Sequence, residues 1–225
     1  MMCVWQEKKT RLIDADGNFD LAKAKALRGR AHRFYLRSRD HALRGLRIDS
    51  RSADLFRQLA NRIPRATRED VPFLYWAAVS WAGALSAAKD NLKLLSELPL
   101  SGIMAERILQ IDEAYEGGAA HEFLISYEGS RPGGLAAKAR SHYQRALEFS
   151  KGRRASVHLA LAESVVTREQ NSREFRSLIN AARAVDPERY PELRLANTVA
   201  RTRADWLFNH MSDIFFDPDD TEAAP

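Results

Sequence analysis

The amino-acid sequence predicts an all-α protein built as a superhelical stack of antiparallel helix pairs. Three observations carry this. Apolar residues recur at spacings of three and four rather than two, turn and cap residues divide the chain into helical segments joined by short loops, and the C-terminal half holds an approximate internal repeat.

Asp20 can cap a long helix running to about Leu46, with Ala24, Leu27, Ala31, Phe34, Tyr35, Ala42 and Leu46 on its inner stripe. Ser50 or Ser52 can cap a shorter helix through Leu55, Leu59 and Ile63, which Pro64 stops. Asp70 caps a third helix, in which Pro72 falls in the tolerant first turn. This segment, PFLYWAAVSWAGALSAA, is apolar nearly all round, so it is expected at the centre of the fold and covered on every side. Asp90–Asn91 and Pro99 bracket a short segment before Ser101, which can cap a helix through Met104, Ile108, Ile111 and Tyr115, ended by Gly117–Gly118. Further helices are expected at about 119–127, 135–149, 155–168, 172–185 and 191–212. Trp206 with Leu207 is expected to seal the last of them against its predecessor. One helical domain spans 20–216, preceded by an N-terminal extension, 1–19, and followed by a flexible acidic tail, 217–225.

Short loops favour antiparallel neighbours. Tyr143 and Ala146 precede Ile179 and Ala182 by 36 residues, close to the tetratricopeptide period of about 34. Ala139, Tyr143 and Ala146 follow the small–bulky–small spacing by which helix B of that repeat packs on helix A. Asp186–Pro187 stands where the repeat's proline ends helix B. The architecture expected is therefore a TPR-like α-solenoid.

Composition narrows the function classes. Hydrophobic residues make up 45% and charged residues 29% of the chain, as in an ordinary folded domain. No apolar run reaches the roughly 18 residues of a membrane span. A single cysteine, Cys3, excludes a disulfide framework or a clustered thiolate metal site. Residues 1–68 hold 17 Lys+Arg against 7 Asp+Glu, whereas the remainder is net acidic. The arginines from Arg30 to Arg51 lack the aromatic interleaving of single-strand binders, so a solvated helix face is expected and nucleic acid is not.

Catalytic constellations are missing. His121–Glu122 starts like a zinc-protease helix, but position 125 is Ile where the second ligand would stand. No glycine loop leads into a lysine and serine as a phosphate cradle requires, and Asp112, Glu113 and Glu116 read as a solvated helix end. A non-enzyme without a cofactor is expected.

The segment VPFLYWAAVSWAGAL, Val71 to Leu85, with Lys89-Asp90-Asn91 after it, resembles a signature of the T-component family associated with TRAP transporters, the tripartite ATP-independent periplasmic systems. Other segments resemble the same family in the same order: AHRFYLRSRDHALRGL (31–46), YEGGAAHEFLISY (115–127), HYQRAL (142–147), Leu161 to Val166 with Gln170–Asn171, and LANTVARTRADWL (195–207). The resemblance implies cryptic tetratricopeptide repeats, a periplasmic location and partnership with a TRAP substrate-binding protein. It leaves open a small hydrophobic or carboxylated ligand, a homo-oligomer and a lipid anchor. Family members carry a signal or lipoprotein leader, and Met1 to Lys9 has no apolar core of that kind; Cys3 lacks the small residues of a lipobox before it. The alternative is a cytoplasmic adaptor whose basic N-terminal third, with Arg33 and Arg37, grips acidic peptides.

Within that reading Tyr75, Trp76 and Trp81 are the first candidates for ligand or partner binding. Trp76 and Trp81, five apart, point in different directions, so one can line a cavity while the other packs. His121 joins them, as do Asn91, Glu163, Asn171 and Asn197, polar residues beside apolar stretches that can instead cap loops or pin helices.

Overall fold

The computed structural model describes residues 20–88 and 91–216. The N-terminal extension with Cys3, the Lys89–Asp90 pair and the acidic tail lie outside the described residues. The all-α expectation is borne out: the described residues hold nine α-helices, several short 3-10 turns and no strand. They divide into two compact units that meet in sequence between Tyr115 and Glu116.

The first unit contains α1 (Leu21–Gly45), α2 (Leu55–Arg62), α3 (Val71–Ala87) and α4 (Leu92–Asp112). Asp20 caps α1 by accepting the Lys23 N–H at 2.8 Å. The other end of α1 closes with Ile48 N–H on Leu43 C=O and with Arg47 at φ 60°. Helix α3 packs antiparallel to α1: the Ser80 hydroxyl donates to Ser38 Oγ at 2.7 Å, and His32 Nδ1 meets Ala84 C=O at 3.0 Å. The close approach is set by glycine, since a Cβ on Gly45 would collide with the Phe73 ring and one on Gly83 with the Tyr35 ring. On its other side α3 packs against α4. At the start of α3, Asp70 is buried and accepts the Thr67 N–H at 2.8 Å and an Arg62 N–H at 2.5 Å.

Two expectations fail in this unit. Helix α3 lies between two neighbours, yet it is not covered on every side, because Phe73 and Trp76 are 41% and 55% exposed. Two packing partners cover the Leu74–Ala78–Trp81 side and leave the Phe73–Trp76 side open. Pro99 does not break the chain either: α4 runs from Leu92 through it to Asp112. Pro99 and Leu95 both lie on the exposed face, so the Leu95 carbonyl deprived of its helical donor faces water.

The second unit contains α5 (Ala119–Ser130), α6 (Ala136–Ser150), α7 (Ala155–Leu161, continued by a π-turn over Ala162–Val166), α8 (Ser172–Ala184) and α9 (Arg194–Phe208). The π-turn replaces the uninterrupted helix expected there. The cause is local: the Thr167 N–H and hydroxyl both donate to Ala162 C=O at 3.0 Å, pulling the ladder from four residues to five. Helices α5 and α6 form an antiparallel hairpin. Helices α5, α7 and α9 run parallel: Ser164 touches Ile125 and Arg168 reaches Gly129, while Ala155 meets Asn197 and Glu163 meets Arg203. Arg140 of α6 reaches Glu174 of α8, 34 residues on. Ala139, Ala146, Ile179 and Ala182 of the repeat pattern are fully buried in the core of this unit. The last helix is shorter than its pattern suggests, because Pro191 opens a 3-10 turn and the α-helix starts only at Arg194.

Candidate functional site

Helix α3 places three of the candidate aromatics. Tyr75 is half-buried, with its ring centroid 5.6 Å from Tyr115 and 5.5 Å from Trp76 at an interplanar angle of 73°. Trp76 stands out from the helix, and Phe73, one turn earlier on the same side, is exposed with it. The Phe73 ring lies over Gly45. The two rings form an aromatic surface on a rigid helix, and amphipathic aromatic area of this kind supplies binding energy at low entropic cost. Phe73 was absent from the sequence candidates, although its i−3 relation to Trp76 is legible in the pattern.

Trp81 points the other way and is 1% exposed. Its indole N–H donates to Glu97 Oε2 at 3.0 Å, and the Arg39 guanidinium lies 4.8 Å from the ring centroid. Arg39 also approaches Glu97 at 4.0 Å and pairs with Asp40 at 2.8 Å. Three helices thus meet in a buried polar knot, which pins α3 rather than opening a site. Nothing in the local spacing of Arg39 and Glu97 announces it. Asn91 is exposed and caps α4, accepting the Leu94 N–H at 3.1 Å.

The other four candidates lie in the second unit. His121 is 3% exposed, stacks on Phe149 at 5.7 Å and places Nδ1 2.9 Å from His142 Nδ1. Such a bond needs one Nδ1 to donate and the other to accept. Burial, reinforced by His121, pushes the His142 pKa down to about 4. Burial also lowers His158, whose Nδ1 meets the Tyr143 hydroxyl at 2.9 Å. Glu163 is exposed on the π-turn and pairs with Arg203 at 2.9 Å. Asn171 caps α8 by accepting the Glu174 N–H at 3.0 Å. Asn197 is 1% exposed, accepts the Ala155 N–H at 3.1 Å and donates to Arg153 C=O at 2.9 Å. It binds the turn before α7 to α9.

Of the eight candidates, only Tyr75 and Trp76 come together as a surface; Trp81, Asn91, Asn171 and Asn197 bond to their own framework. The sequence reading also passed over a polar cleft of about 420 Å³ in the first unit, where Arg37 and Arg44 of α1 face Asp49 and Arg51 of the following loop.

Among the described residues no helix is long and apolar enough to cross a membrane, and no group of three His, Cys, Asp or Glu side chains gathers. A protein of Treponema pallidum (strain Nichols), named only as an uncharacterized protein, is 27% identical over 199 residues. That match covers 87% of this chain, and the chain spans 61% of that relative's length. Residues 4–215 match the sequence profile of the TRAP transporter T-component, a transport accessory family, as the ordered segments led us to expect. On that match, which takes in both helical units, the chain belongs to the TRAP transporter T-component family.

Proposed function

We propose that this chain acts without catalysis as the accessory component that docks a TRAP substrate-binding protein, using the open aromatic face of α3. The observation that carries the reading is the exposure of Phe73 and Trp76, at 41% and 55%, on a helix packed between α1 and α4. Large aromatics are enriched at the centres of protein interfaces, where they bury area with few rotamers to freeze. Partnership with the substrate-binding protein places the chain in the periplasm, free or lipid-anchored. The parallel run of α5, α7 and α9, with α6 and α8 stacked 34 residues apart, supports a TPR-like stack in the second unit. Tyr75 beside Trp76 also offers an apolar edge to a small hydrophobic or carboxylated ligand, or to a second copy of the chain.

The test is copurification of the tagged chain with the substrate-binding protein of the same transport system. A complex at micromolar concentrations that Trp76→Ala weakens at least tenfold supports the reading. No complex, or one that Trp76→Ala and Phe73→Ala leave unchanged, refutes it.

A further inference from the structure

We propose that the polar cleft of the first unit, independent of the aromatic face, binds a compact anion carrying two phosphoryl groups. The cleft measures about 420 Å³, inside the range of roughly 300–1,000 Å³ typical of small-ligand sites. Arg37, His41 and Arg44 follow one another at spacings of four and three, so they share one face of α1. Arg51, Ser50 and Asp49 close the cleft from the loop after that helix.

The charge balance is cationic. Arg37, Arg44 and Arg51 have no carboxylate partner among the described residues, and all three are exposed. Of the two acids in the wall, Asp40 is already paired with Arg39 from behind, at 2.8 Å. Asp49 spends one oxygen on the Arg51 backbone N–H at 3.0 Å. Among the described residues the side-chain partner of these guanidinium groups is His41, whose Nδ1 meets Arg44 Nη2.

This donor set selects the ligand. Three guanidinium groups, each with five N–H donors, and the Ser50 hydroxyl exceed what one carboxylate can accept. Phosphoryl groups offer three terminal oxygens and more negative charge, and arginine binds them in a bidentate fork. Arg37 and Arg44 are two helical turns apart, about 10 Å along the axis, within joint reach of two arginine side chains, and with Arg51 they bring more positive charge than one phosphate neutralises, so a pair of phosphoryl groups matches the cleft better. Such a ligand has two sources, a soluble diphosphate or a lipid headgroup with two phosphates.

The experiment is calorimetric titration of the full chain with inorganic pyrophosphate at fixed ionic strength, beside sedimentation with phosphatidylcholine vesicles with and without cardiolipin. Arg44→Ala and Arg37→Ala are the site variants. Arg28→Ala, an exposed arginine of the same helix outside the cleft, is the charge control. Pyrophosphate binding that falls at least tenfold in both site variants, and less than twofold in the control, establishes the cleft with a soluble ligand. Cardiolipin-dependent vesicle binding with that same pattern, without pyrophosphate binding, establishes it with a headgroup. Absence of both, equal loss in Arg28→Ala, or equal binding of citrate or of a Glu-rich peptide overturns the proposal. Unchanged circular dichroism of the variants separates loss of the site from loss of the fold.

Discussion

The indole N–H of Trp81 donates to Glu97 Oε2 at 3.0 Å, and both side chains are nearly sealed from solvent, at 1% and 4% exposure. A carboxylate buried this deeply depends on its few partners, here the indole and, at 4.0 Å, the Arg39 guanidinium. Removing it leaves the buried indole N–H without its acceptor and the Arg39 guanidinium with Asp40 alone. Glu97→Ala is therefore expected to destabilise the first unit by about 3 kcal/mol. Glu97→Gln keeps an acceptor for the indole and is expected to cost about 1 kcal/mol. Urea unfolding followed by tryptophan fluorescence measures both, and equal losses would show that the indole bond contributes nothing.

Close backbone approach gives a second, graded expectation. A Cβ on Gly129 would meet the Ser164 side chain and, at 2.9 Å, Val165 Cγ2, both held on the π-turn. A Cβ on Gly45 would meet only the Phe73 ring, which is 41% exposed and free to swing outward. Gly129→Ala should therefore cost about 2–3 kcal/mol through overpacking, and Gly45→Ala less than about 1 kcal/mol. Thermal unfolding of the two variants checks the order, and the reverse order would contradict the packing described.

The histidines set a pH window. His142 titrates near 4 in the folded protein against 6.5 for the free side chain, and His158 is lowered as well, both through burial. Between these values the unfolded chain binds more protons than the folded one, so unfolding is favoured as pH falls. The stabilising contribution is complete above pH 6.5 and is lost progressively down to about pH 4, below which His142 adds no further dependence. His142→Gln should flatten the stability profile across this window without abolishing it, because His158 remains. A profile as steep as that of the parent would show that His142 is not buried as a neutral ring.

Element existence was legible from the sequence because helical periodicity and caps act locally. Asp20, Asn91 and Asn171 all cap helices, in agreement with their position before apolar runs. What escaped was set by partners far along the chain. The apolar sequence of α3 cannot reveal that only two neighbours cover it, so the exposure of Trp76 came from the fold. Pro99 reads as a breaker unless it is known to face water. The Arg39–Trp81–Glu97 knot joins residues 16 to 58 positions apart, and no spacing rule reaches that far.

The asparagines are expected to differ in weight although the sequence treats them alike. Asn197 is buried and satisfies the Ala155 N–H and the Arg153 carbonyl, so Asn197→Ala strands two backbone groups and should cost about 2–3 kcal/mol. Asn171→Ala removes one exposed N-cap bond and should cost about 1 kcal/mol. Chemical denaturation measures the difference, and equal costs would argue that water replaces the buried bonds of Asn197.

Trp76 offers the separation of binding from stability. Its ring is 55% exposed and touches Tyr75 edge-on at 5.5 Å, so Trp76→Ala removes little buried area. Surface changes of this kind stay within about 0.5 kcal/mol, plus at most about 1 kcal/mol for the lost ring pair. Trp81→Ala, by contrast, empties a sealed site and should cost about 3–5 kcal/mol. If the Phe73–Trp76 face is the docking surface, Trp76→Ala weakens the partner at an almost unchanged melting temperature. Trp81→Ala then lowers binding only as far as it unfolds the unit. Measuring affinity and melting temperature on both variants distinguishes the two roles, and a Trp76→Ala protein that unfolds like Trp81→Ala would assign that ring to the core instead.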